Sequence, residues 1–212
     1  MKTIVCYGDS NTWGWRPIDC KRYVIDQRWT GILAKELGPD YRVIEEGLNG
    51  RTTVWDDPVE DYRNGKSYLM PCLLSHSPVD LVMIMLGTND LKYRFCLSAF
   101  DIAAGAGVLV DMAQNSKTGP DDRDSSPMVL LMAPPPLGKL DSYKDMFQGG
   151  SDKSKLLGKY FSQVAKERNC YFLDTAEVIA SSDIDGLHLL PEEHMKLGKR
   201  VSKVVQEIFM TK

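Results

Sequence analysis

Long apolar runs are missing from this chain of 212 residues. No stretch approaches the roughly 18 apolar residues that a membrane helix needs. The β-branched opening "TIVCY" stops at Gly8, too short for the core of a signal peptide, so no membrane association is expected. A basic excess is lacking as well. The formal net charge of −3 offers no electrostatic footprint for nucleic acid. The cysteines, Cys6, Cys20, Cys72, Cys96 and Cys170, are scattered and odd in number, with no C-x-x-C pair. Neither a disulfide framework nor a zinc site is therefore expected, and the expected setting is reducing and cytoplasmic. G-x-G-x-x-G, G-x-x-x-x-G-K and G-x-S-x-G are all absent, which removes the main support for dinucleotide, nucleotide and nucleophile-elbow readings. "HLLPEEH" lacks the H-E-x-x-H spacing that puts two ligands on one helical face, so no metal is expected there.

Short apolar runs are plentiful: 3–7, 41–47, 80–87, 128–134 and 170–174. Each is continuous and bounded by Gly, Pro or Asp, the pattern of strands covered on both faces. Helical patterns lie between them. "RWTGILAKELG" ends on a capping Gly38, "SAFDIAAGAGVLVDMAQ" starts on Ser98, and "PEEHMKLGKRVSKVVQEIF" starts on Pro191 with two acids. "SDKSKLLGKYFSQVAKERN" is predicted as a single helix with Leu156, Leu157, Tyr160, Phe161 and Val164 on its inner face. Strands alternating with helices predict an α/β, doubly wound parallel sheet in one domain over 1–212. Stretches 16–28 and 53–66 read as irregular, and 115–127 as a polar surface loop.

Ligands of such sheets bind beyond the C-terminal ends of the strands. Those ends read Gly8-Asp9-Ser10, Gly47-Leu48-Asn49-Gly50 and Gly87-Thr88-Asn89-Asp90, and Asp185-Gly186-Leu187-His188 precedes the last helix. Together they supply the parts for acyl transfer. Ser10 is the candidate nucleophile, His188 its general base, and Asp185 the carboxylate that orients the imidazole. The backbone N–H groups of Ser10 and Gly50 and the Asn89 amide are candidate donors to an oxyanion. Taken alone, Gly8-Asp9-Ser10 is equally a strand-to-helix turn with a capping residue.

These four blocks, as "GDSN", "GLNG", "GTND" and "DGLH", resemble the SGNH (GDSL-like) hydrolase family. Longer segments such as "GDSNTWGW", "VIEEGLNGRTT" and "VMIMLGTND" are similar to its bacterial aryl esterase and acyltransferase (perhydrolase) branch. The resemblance implies a flavodoxin-like three-layer sandwich with a five-stranded parallel sheet and no cofactor. It implies hydrolysis of small-acyl esters, with transfer to water, an alcohol or peroxide. A homo-oligomer is also implied, a dimer or larger up to an octamer, in which neighbouring subunits narrow a hydrophobic channel. Asn11 stands where the family name has Leu. The pocket lining is expected from Asn11, Thr12, Trp13 and Trp15 after the serine, from Thr88 and Leu187 beside the other blocks, and from Phe147. Trp13 and Trp15 fit core packing as well as pocket walls.

His76 reads as a helix-end histidine. His194 reads as an exposed residue in the first turn of the last helix, without an acid three positions earlier. Two other functions remain open at this level: a carbohydrate O-acetylesterase with the same chemistry, and a non-catalytic flavodoxin-like binding module.

Overall fold

The central strand-length runs pair into one parallel sheet because their side chains are apolar on both faces and need helices on both sides, while the edge strand 41–47 carries Arg42, Glu45 and Glu46. The computed structural model describes residues 1–121 and 124–210. In chain order its elements are β1 (Lys2–Gly8), α1 (Ser10–Trp13), β2 (Trp15–Arg16), β3 (Lys21–Arg22), α2 (Trp29–Leu37), β4 (Tyr41–Gly47) and α3 (Gly65–His76). There follow β5 (Leu81–Met85), α4 (Ala99–Gln114), β6 (Met128–Ala133), α5 (Gly150–Ser154), α6 (Leu157–Glu167), β7 (Tyr171–Asp174) and α7 (Pro191–Met210).

The sheet order is β4-β1-β5-β6-β7, all parallel. Counted along the chain this is 2-1-3-4-5, the flavodoxin-like order. Alternate residues point to opposite layers. Val5, Tyr7, Val82, Ile84 and Leu131 pack with side chains of α3, α4 and α6. Ile4, Cys6, Met83, Met85 and Leu130 pack with Trp29 and Leu33 of α2 and with Leu197, Val201 and Val205 of α7. The result is a three-layer α/β/α sandwich. Strand order reverses at β1, where Gly8 is in register with Gly47 of β4 and Met85 of β5. The loops that follow these three strands therefore leave side by side.

Several expectations need correction. The stretch 53–66 runs into α3, a helix that the apolar pattern does not announce. Pro71 lies within it, and Leu69, Cys72 and Leu73 are its buried apolar side chains. The single helix expected over 151–169 is broken into α5 and α6. At the break the Ser154 hydroxyl donates to Ser151 O and accepts from Leu137 N, competing with the helical ladder. Leu156, assigned to the inner face, is in consequence 46% exposed. Part of the loop expected over 115–127 falls on residues 122 and 123, outside the described residues. Thr118 within it is buried rather than superficial, and its carbonyl accepts from Val79 N. At the start of 16–28, β2 and β3 form a short antiparallel ribbon that pairs Trp15 with Arg22 and Arg16 with Lys21.

Candidate active site

β1 ends at Gly8 and α1 begins at Ser10, with Asp9 between them as the cap. The Asp9 carboxylate accepts from Asn11 N at 3.0 Å, the ordinary reason for an acid at this position. Ser10 thus sits at the start of a four-residue helix beyond the sheet's C-terminal edge.

The loop before α7 reaches the same place. His188 Nε2 lies 2.9 Å from Ser10 Oγ, and His188 Nδ1 lies 2.6 Å from Asp185 Oδ2. With Nδ1–H donating to the carboxylate, Nε2 is free to accept from the serine hydroxyl. The other Asp185 oxygen accepts from Ser182 Oγ, Leu187 N and His188 N, each at 3.0 Å. Burial alone would raise Asp185. The hydrogen bond and charge of His188, with the two backbone donors, outweigh burial and hold its pKa at about 2. It is therefore an anion throughout the range in which an imidazole titrates.

Two further loops close around Ser10. Gly50 has φ +78°, a left-handed turn that glycine enters freely. Among the described residues no protein acceptor takes the N–H of Ser10 or of Gly50. The Asn89 amide gives one hydrogen to Arg51 O at 3.2 Å and keeps a second. Asp90, beside it, accepts from Thr53 N at 3.0 Å and from the Thr53 hydroxyl. This joins the loop after β5 to the loop after β4. Asp9 and Asp90 are both pushed up to about 6, chiefly by burial.

A cavity of about 340 Å³ opens beside Ser10 and His188, with Gly50, Thr88 and Asn89 on its wall. Such a set of parts identifies a family when the sequence agrees, and it does. The GDSL-like lipase/acylhydrolase family matches over residues 6–195. The chain belongs to that family. This hydrolase is similar to the aryl esterase of M. smegmatis, with 41% identity and a TM-score of 0.94 over 98% of this chain and 99% of that one. It is similar also to Est24, a carbohydrate acetylesterase from Sinorhizobium meliloti, with 40% identity and a TM-score of 0.94 over 98% and 100% of the two chains. A carbohydrate acetylesterase family member from the same organism has 38% identity and a TM-score of 0.93, with 98% of each chain covered. Curated proteins supplied no significant match.

Within the hydrolase, Trp15, Phe147 and Leu187 line the cavity. The Trp15 ring centroid lies 5.5 Å from that of His188, and Phe147 is buried with Tyr143 edge-on at 6.4 Å. Asn11, Thr12 and Trp13 do not line it. Asn11 is buried, donating to Leu187 O and accepting from Leu189 N, both at 3.1 Å, and so ties α1 to the histidine loop. Thr12 is wholly buried and faces Gly8. Trp13 lies behind Trp15 at 6.0 Å, with the Arg22 guanidinium over its ring. An α1 of four residues buries Asn11 and Thr12 and leaves Trp13 half-buried beside Arg22.

His194 is buried rather than exposed. It accepts from Trp29 N at 3.3 Å and meets Tyr23 edge-on, and burial holds its pKa down to about 3. The sequence reading missed Tyr143 and Met146 on the apolar wall, and Glu60, Arg63 and Lys92 on the charged one. The only signal for Glu60 and Arg63 was the charge of 53–66, and Lys92 lies two residues beyond Asp90. Among the described residues no helix is long and apolar enough to cross a membrane.

Proposed function

We propose that this family member is a serine esterase cleaving small-acyl carboxylic esters through an acyl-enzyme on Ser10. The observation that carries the reading is the hydrogen-bonded line Ser10–His188–Asp185 at the mouth of a cavity. His188 Nε2 takes the hydroxyl proton as Ser10 Oγ attacks the ester carbonyl. Asp185 steadies the imidazolium, and the negative oxygen is met by the Ser10 and Gly50 N–H groups and the Asn89 amide. The imidazolium then protonates the departing alcohol, and an acceptor releases the acyl group by the reverse path. No cofactor is needed for any of these steps.

A volume of about 340 Å³ suits a short acyl chain and a modest alcohol. Trp15, Phe147 and Leu187 make one wall apolar and disfavour water, which supports transfer to alcohols or peroxide alongside hydrolysis. A second reading is carbohydrate O-acetylesterase. It is favoured by Glu60, Arg63 and Lys92 in the cavity lining, which present hydrogen-bonding groups to a polyhydroxylated alcohol, and by the name of the Sinorhizobium relative. A homo-oligomer remains part of the reading.

The test is hydrolysis of p-nitrophenyl acetate and butyrate by wild type and by a folded Ser10→Ala variant. Loss of about three or more orders of magnitude in kcat is expected. Equal, feeble background from both proteins would return Ser10 to the status of a turn residue and favour the binding module. Faster turnover of acetylated saccharides than of aryl esters would favour the second reading.

A further inference from the structure

Among the described residues, Glu46, Cys72 and His76 bring a carboxylate oxygen, a thiol sulfur and an imidazole nitrogen within 4.8 Å of one another. Glu46 comes from the end of β4. Cys72 and His76 stand four apart on α3, so a single helical turn presents both on one side. The Cys72 side chain is wholly buried, while those of Glu46 and His76 keep 18% and 23% exposure. The group therefore straddles the edge of the core, closed below and open to water above.

His76 Nε2 is 2.7 Å from Glu46 Oε1, and the Cys72 sulfur lies within 4.8 Å of the ligand atoms of both. Three potential ligand atoms, one each of nitrogen, oxygen and sulfur, thus converge on one spot at the edge of the core. Nothing in the ester chemistry uses these residues. Neither Cys72 nor His76 lines the cavity beside Ser10.

We propose that Glu46, Cys72 and His76 form a binding site for a divalent cation of the zinc class, with water in the fourth position. Mixed sulfur, nitrogen and oxygen donors are the set that zinc accepts, and three protein ligands with one open position is a known arrangement for it. Thiolate and carboxylate together balance the dication, and the thiol gives up its proton as the metal–sulfur bond forms. The Arg51 guanidinium, which bonds the Glu46 and Gly8 carbonyls, opposes a cation and makes both anionic ligands necessary. A cavity of about 560 Å³ lined by Glu46, Arg51 and Tyr68 opens on the Glu46 side of the group; Cys72 and His76 do not line it. Since β4 runs on into the loop of Gly50, a bound ion would brace the root of that loop.

Cobalt(II) titration of the chelator-treated protein tests this, because a cobalt–thiolate bond adds a charge-transfer band in the near ultraviolet. One equivalent should produce the band, and zinc should displace it. Glu46→Gln and His76→Gln should each weaken binding by at least about tenfold, and Cys72→Ser should abolish the band. Zinc should raise the Tm of wild type and leave that of His76→Gln unmoved. Should Cys72→Ser fail to fold, the two half-exposed variants still decide. The proposal is overturned if no band forms, if binding is indifferent to His76→Gln and Glu46→Gln, or if the band follows the exposed thiols and disappears in Cys20→Ser/Cys96→Ser.

Discussion

Asn11 joins two parts of the site that are remote in sequence. One amide side chain fills the backbone acceptor of Leu187 and the backbone donor of Leu189, 176 and 178 residues away, in a place without room for error. Asn11→Ala leaves both groups buried and unpaired, at a cost of about 1–3 kcal/mol in stability. It also releases α1 from the loop that carries His188. We expect kcat to fall on the order of a hundredfold with KM little changed, since alignment is lost and the cavity wall is not. Steady-state kinetics beside denaturant melts will separate the two effects, and a change in KM alone would return Asn11 to the pocket. The buried acids make an opposite pair of pH contributions. Asp185, held at about 2, adds stability that is present above the ordinary carboxylate range and lost as pH falls through about 2. Asp90, raised from 3.8 to about 6, adds stability that is full below about 4 and lost as pH rises through about 6. Asn at position 90 can still accept from Thr53 but has no proton to lose. Between pH 4 and 7 the Tm of Asp90→Asn should therefore move downward less than that of wild type, or upward more. Parallel curves would show that Asp90 is ionised without penalty.

The junction of β1, β4 and α1 decides whether the strand ends can hold a serine at all. Gly47 lies directly under α1: a Cβ there would sit 2.2 Å from Trp13 N and 2.6 Å from its Cα. Those are backbone atoms, so no rotamer change relieves the clash. Gly47→Ala should cost about 3 kcal/mol or more, visible as a lower Tm, and should displace Ser10 enough to depress kcat in whatever fraction folds. A neutral effect would mean that α1 is free to lift. The same elements show why some of the fold is legible in the sequence and some is not. The buried strands announce themselves because two-sided burial leaves no polar residue to interrupt them, and the loops at their ends carry Ser10, Gly50, Asn89 and the Asp185–His188 pair as local motifs. The burial of α1 is not local, so Asn11 and Thr12 read as lining when they pack, and Trp13 reads as lining when it stacks between Trp15 and Arg22. α3 lacks a stripe and contains Pro71. His194 is buried against Tyr23 and Trp29, which lie about 165 residues away, and nothing near it in sequence says so. Cys72 and His76 form a constellation only when β4 brings Glu46 to them.

At the scale of the whole molecule, the two stretches between strands that read as irregular carry apolar side chains that the sheet and its helices do not cover. Ile18, Val24, Val59 and Tyr62 are 71%, 64%, 73% and 91% exposed. Large apolar side chains left this open mark a surface that another chain covers where they lie together in one patch. The position of one segment ties this to chemistry. Glu60 and Arg63, which line the cavity, alternate with Val59 and Tyr62 on the same loop, so a chain covering the latter would also shape the mouth of the site. Wild type should therefore elute in gel filtration well above the mass of one chain, and Val59→Asp/Tyr62→Asp should shift it down. Both substitutions are at exposed positions, so the fold and the Ser10–His188 hydrogen bond should persist and kcat should change by less than about tenfold. KM for p-nitrophenyl esters should rise as the mouth opens to solvent. A wild type that runs as a single chain would remove the covering subunit from the reading. The exposed residues of 53–66 would then be a rim that the substrate itself must cover.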